Sequence, residues 1–138
     1  MITRPDSELR RKGSGYRILA SITVGLVASV SGAMLLGRSW SACGVGQNSA
    51  NAYALLFVDI PVLFLVSGAW WYTVGAVAIR RSNGPGVRFA VAPTIGLLGV
   101  LVIVWIAFSW RHNPTGDYPA TVCGLDNLPP WWPAWIPA

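Results

Sequence analysis

Residues 18–37 read ILASITVGLVASVSGAMLLG, twenty residues without a charge. As a helix rising ~1.5 Å per residue, the run extends ~30 Å, the thickness of a bilayer's hydrocarbon core. Two further runs of the same character follow, at residues 53–79 and 89–110. The composition agrees with them: 54% of the 138 residues are hydrophobic and 11% are charged, where soluble domains average roughly 25% charged. Mean hydropathy is +0.52. So few charges cannot cover a soluble globule of this size, and the expected fold is an all-α integral membrane protein with three transmembrane helices.

The second run contains Asp59 and Pro61 near its amino-terminal end, so it must tilt, kink or begin above the hydrocarbon. The third carries Pro93 in its first turns, where a missing N–H costs least. Between them, Arg81-Ser82-Asn83-Gly84-Pro85-Gly86 holds residues that suit turns, and a tight hairpin is expected.

The net charge of +5 would suggest nucleic acid if it lay on one soluble face. Instead it is sorted by loop. Arg4, Arg10, Arg11, Lys12 and Arg17 precede the first run, and Arg80, Arg81 and Arg88 flank the link between the second and third. The other side has only Arg38 and Arg111, with Asp117 and Asp126. Short loops rich in Lys and Arg stay cytoplasmic, which predicts an amino terminus inside and a carboxyl terminus outside. The chain then divides into a basic cytoplasmic tail (1–17), a three-helix transmembrane domain (18–110) and an extracytoplasmic tail (111–138). Arginine outnumbers lysine nine to one amid many alanines, glycines and prolines. That bias belongs to a GC-rich genome, so the expected location is a bacterial cytoplasmic membrane, as a multi-pass plasma-membrane protein.

Cys43 follows the first span and Cys123 lies in the carboxyl-terminal tail, both on the expected outer side, and the chain has no other cysteine. An oxidising compartment predicts one disulfide between them. A metal site is the weaker reading, since two thiols and the sole histidine, His112, fall short of four ligands. Trp40-Ser41-Ala42-Cys43 resembles the end of a lipoprotein signal, but Trp40 stands where a small aliphatic residue belongs. Its twenty apolar residues also exceed the usual ~7–15. Arg10-Arg11 lacks the surroundings of a twin-arginine signal.

Gly25, Ala28, Ser29, Gly32 and Ala33 recur at helical spacing on the first span. Small residues four apart let backbones approach closely in lipid, so this face is expected at a helix contact, within the chain or with another subunit. Gly68, Gly75, Gly96 and Gly99 on the other spans offer complementary grooves. Trp40, Tyr53, Trp105 and Trp110 mark the outer boundary as interfacial anchors. Trp70 and Trp71 sit deep in the second span. Adjacent helical residues diverge by about 100°, so one is expected on a sister helix and the other toward lipid or a partner.

Asp59 is the one ionisable group within a span. Intramembrane charges are costly, and function is their default reading. It lies about six residues inside Tyr53, roughly 9 Å below that end, where the long side chain of Arg38 or Arg111 can reach it. The expectations are a structural pair, contact with a partner subunit, or cation handling. The tail is too proline-rich for regular structure, yet Trp131, Trp132 and Trp135 make its end too apolar for a solvated linker. It must lie on the interface, on the bundle or in a partner's groove.

No catalytic signature emerges: Ser, His and Asp are present, but nothing such as a G-x-S-x-G elbow places a nucleophile beside His112. Nothing implies a cofactor or bound metal, and nucleic acid is not an expected partner. Two functions remain. One is a non-enzymatic accessory or structural subunit of a larger plasma-membrane complex, with the lipid bilayer and a membrane protein or a second copy as partners. The alternative is a small oligomeric transport or pore-forming protein that uses Asp59. A transporter would ordinarily need a midplane site between repeats, and no internal repeat is visible.

Overall fold

The computed structural model describes residues 5–81, 85–114, 122–123 and 128–138, apart from the side chains of 5–13, 79, 81 and 85–89. The described residues are helical or irregular, without strands. The helices are α1 (Pro5–Cys43), α2 (Ser49–Ala54), a π turn (Leu55–Asp59), α3 (Ile60–Arg81) and α4 (Pro85–Arg111). Three stretches are long and apolar enough to cross a membrane: Ser14–Cys43, Ser49–Ala78 and Ala90–Arg111.

The helices overrun the apolar runs that announce them. Hydropathy marks the hydrocarbon, whereas a helix stops only where its backbone loses partners. Thus, among the described residues, α1 runs from Pro5 and carries the basic segment as helix. At its other end α1 continues past Arg38 to Cys43. There Val45 N–H donates to the Trp40 carbonyl at 3.0 Å, and Gly44 and Gly46 turn the chain with φ of +68°. Gly46 is doubly constrained, because a Cβ there would also sit 3.0 Å from the Trp40 ring. Asn48 then caps α2, its side chain accepting from Asn51 N–H at 2.8 Å.

From α2 to α3 the chain is one helical rod interrupted by the π turn, in which Ile60 N–H reaches back to the Leu55 carbonyl. Pro61 supplies the reason. Its missing N–H would have bonded Phe57 in a regular ladder, so the ladder is broken there whatever the geometry, and an extra residue is accommodated upstream. Similarly, α4 starts at Pro85, which puts Pro93 inside the helix rather than in its first turns. Neighbouring helices let a membrane span tolerate that. Of the expected hairpin, residues 82–84 lie outside the described residues.

Packing follows the small residues. The closest pair is α1 with α3, then α3 with α4. Gly25, Ala28, Ser29 and Gly32 are buried, while Ala33 is half-buried. A Cβ added at Gly25 would sit 2.7 Å from the Phe64 backbone oxygen, and one at Gly32 would sit 2.7 Å from Leu63. The contact is reciprocal, since a Cβ at Gly68 would lie 3.1 Å from the Ser21 carbonyl oxygen. The α1 small-residue face is therefore an internal contact. Most large apolar side chains, among them Leu26, Val30, Phe57, Leu65, Leu98 and Leu101, point outward. In water this would be an aggregation surface; in a bilayer it is the lipid-facing surface.

Both tryptophans of α3 contact α4, contrary to the expected split between a sister helix and lipid. The Trp70 indole donates to the Gly96 carbonyl at 3.1 Å and lies against Gly99, while the Trp71 ring covers Gly96. The physical reason lies on the partner helix. Two glycines three residues apart remove the side chains that would have kept the second ring away.

Candidate functional site

The features of chemical interest gather at one end of the bundle, where α1 ends, the π turn sits and α4 ends. Cys43 and Cys123 form a disulfide with Cα atoms 5.2 Å apart. It closes a buried cluster of Trp40, Cys43 and Val45, against which Leu55 and Cys123 pack. Trp40 is only 5% exposed and its indole donates to the Arg111 carbonyl at 3.0 Å. The expected interfacial anchor is thus a core residue that ties α1 to the end of α4, because Gly44–Gly46 fold the loop back over its ring. Trp110 and Tyr53 are exposed, as anchors would be.

The π turn and the end of α4 bring Asp59 and Arg111 together, Nε to Oδ2 at 3.1 Å. Their side chains are 14% and 22% exposed, so the pair is shielded yet reachable from outside. Arg38, the other sequence candidate, points outward. Sequence spacing could not choose between the two. Each arginine directly follows an apolar run in the sequence, and only helix rotation aims Arg111 at Asp59.

Beneath the pair runs a groove of about 740 Å³ between α3 and α4, floored by Leu36 and Leu63. Its walls are Val58, Val62 and Val66 on one side and Ile103, Ile106, Ala107 and Trp110 on the other. Apart from Asp59 and Arg111, the lining is apolar. Sequence reasoning found the charge but not the groove, because the wall residues share no motif.

The tail folds onto α4. Trp132 stacks on Phe108 with centroids 4.2 Å apart, Phe108 stacks in turn with His112, and Trp131 meets Trp132 edge-on. Two turns shape the segment, closed by Trp132 N–H to Pro129 O and Ile136 N–H to Pro133 O. The Trp105 indole donates to the Pro137 carbonyl at 2.8 Å, and the Trp132 indole to the Ile136 carbonyl at 2.8 Å. Of the three tail tryptophans, only Trp132 is largely covered; Trp131 and Trp135 are 47% and 82% exposed. Phe108, at 1% exposed, owes its burial partly to Trp132. Trp132→Ala should therefore cost about 2 kcal/mol, below the ~3–5 kcal/mol of a fully buried tryptophan. Trp135→Ala should stay within about 0.5 kcal/mol. Denaturation midpoints of the two variants check the pair.

At the opposite end, Arg17 lies over the Tyr72 ring, 4.7 Å from its centroid, and donates to the Tyr72 carbonyl at 3.5 Å. A charge first read as topogenic also clamps α1 to α3. Among the described residues no group of three or more His, Cys, Asp or Glu side chains could hold a metal ion. Comparison with known proteins finds no matching family model, no similar curated protein and no similar solved structure.

Proposed function

We propose that this chain is a non-enzymatic accessory or structural subunit of a larger plasma-membrane complex, set in a bacterial cytoplasmic membrane with its amino terminus inside. The observation that supports this reading most is the Asp59–Arg111 pair. The one acid within a span is neutralised inside its own chain, near the end of the bundle, where it braces two helices instead of waiting on a transport path. The disulfide and the tail packed on α4 serve the same bracing role, and the exposed Trp131 and Trp135 offer a surface to a neighbouring protein.

The rival reading, an oligomeric pore with Asp59 lining a cation path, draws on the π turn, since such turns are frequent at functional sites. Asp59→Asn in reconstituted vesicles separates the two. A bracing role predicts reduced assembly and no ion or proton flux in either protein. Intact assembly with a wild-type flux that the variant loses would establish the pore.

The orientation has its own test. Reporters fused after Ala138 should be active only if they work outside the cytoplasm, as the eight basic residues on one side against two on the other require. A cytoplasm-dependent reporter active at that position would reverse the topology.

A further inference from the structure

We propose that the α3–α4 groove is a binding site for a phospholipid with a phosphoethanolamine-type headgroup, its ammonium on Asp59 and its phosphate on Arg111. The groove volume, about 740 Å³, falls within the ~300–1,000 Å³ typical of sites that take a specific small molecule. Its wall residues Val62, Val66 and Ile106 are each roughly half exposed. The site therefore opens sideways, toward the acyl chains of the bilayer rather than toward water.

Depth fits one leaflet. From Asp59 to Val66 and from Arg111 to Ile103 the walls descend about 10–12 Å at ~1.5 Å per residue. One leaflet of hydrocarbon is ~15 Å thick. An acyl chain lying in the groove would therefore place its headgroup at the ion pair.

The pair selects the headgroup. Among the described residues, Arg111 donates only through Nε, to Asp59 Oδ2. Both terminal guanidinium nitrogens keep their N–H groups for a phosphate, which guanidinium binds with matching geometry. Asp59 accepts nothing besides that bond, so its second carboxylate oxygen is left for a donor. A purely anionic headgroup would add a net negative charge to a pair in which Asp59 already balances Arg111. A phosphocholine headgroup carries the cation but no N–H to donate. A zwitterion with an N–H-bearing ammonium gives both partners a charge-assisted hydrogen bond and leaves the site neutral.

The test uses full-length, disulfide-intact protein in gentle detergent. Binding of dioleoyl lipids is followed by native mass spectrometry across phosphatidylethanolamine, its successively N-methylated forms through phosphatidylcholine, and phosphatidylglycerol. Losing a hydrogen bond to a charged group should weaken phosphatidylcholine about tenfold relative to phosphatidylethanolamine, with the largest step at the last methylation. Phosphatidylglycerol should also bind more weakly than phosphatidylethanolamine. Asp59→Asn should reduce the ethanolamine preference to about twofold or less, and Val66→Trp, which fills the groove about two turns below the pair, should abolish retention of every headgroup. The methylation series needs no variant, so it decides the matter even if Asp59→Asn fails to fold. Equal affinity for the ethanolamine and choline lipids would overturn the proposal. So would retention by Val66→Trp, or cross-links across Val62 and Ile106 that show a helix of a second copy in the groove.

Discussion

Gly25→Ala should destabilise the bundle by about 2–3 kcal/mol, the upper part of the range for overpacked sites. The added methyl carbon would sit 2.7 Å from the Phe64 backbone oxygen. A flexible side chain could move aside, but a carbonyl in the helical ladder cannot shift without moving α3 itself. The matching control is Gly37→Ala on the same helix, where an added Cβ meets nothing within 4 Å. There the change should be neutral or mildly stabilising through helix propensity. The comparison is read from unfolding in mixed detergent, with the intact disulfide held constant. Equal effects at the two positions would mean that the α1 small-residue face does not set the α1–α3 distance.

The second large effect is an asymmetry. Arg111→Gln should cost about 2 kcal/mol, whereas Asp59→Asn should cost on the order of 1 kcal/mol. Removing the acid strands an arginine at the last residue of α4, whose long side chain can snorkel toward water. Removing the arginine strands a carboxylate on a short side chain within the π turn, facing an apolar groove. That carboxylate sits on a side chain too short to snorkel and stays largely shielded without its counter-charge. The same unfolding assay on both variants shows the difference. A double variant costing no more than Arg111→Gln alone would mark the pair as coupled.

The parts of this structure legible in the sequence are those set by solvent and compartment. Uncharged or nearly uncharged runs located the three spans, because the hydrocarbon disfavours charge regardless of tertiary detail. Two cysteines on one side of the membrane implied the Cys43–Cys123 bond, because redox conditions are a property of the side. Reach limited the partner of Asp59 to Arg38 or Arg111, and the choice fell to helix rotation, which no local pattern encodes.

What stayed hidden depends on elements distant in sequence. Trp40 looks like an anchor until the loop through Gly44 and Gly46 covers it and the Arg111 carbonyl takes its N–H. The joint packing of Trp70 and Trp71 is written on α4, in Gly96 and Gly99, not on α3. The seat of Trp132 was hidden in the same way, since Phe108 is an unremarked residue of an apolar helix until Trp132 stacks on it.

The central claim, that the chain braces a complex and does not itself conduct, is tested most directly by isolating it from its native membrane in gentle detergent and measuring the mass and composition of the particle. The account predicts one or more different membrane proteins at fixed stoichiometry with this chain. It also predicts their partial loss from the Trp131→Ala, Trp135→Ala double variant, with the disulfide intact. A particle made solely of copies of this chain, passing cations in vesicles in a manner abolished by Asp59→Asn, would contradict it.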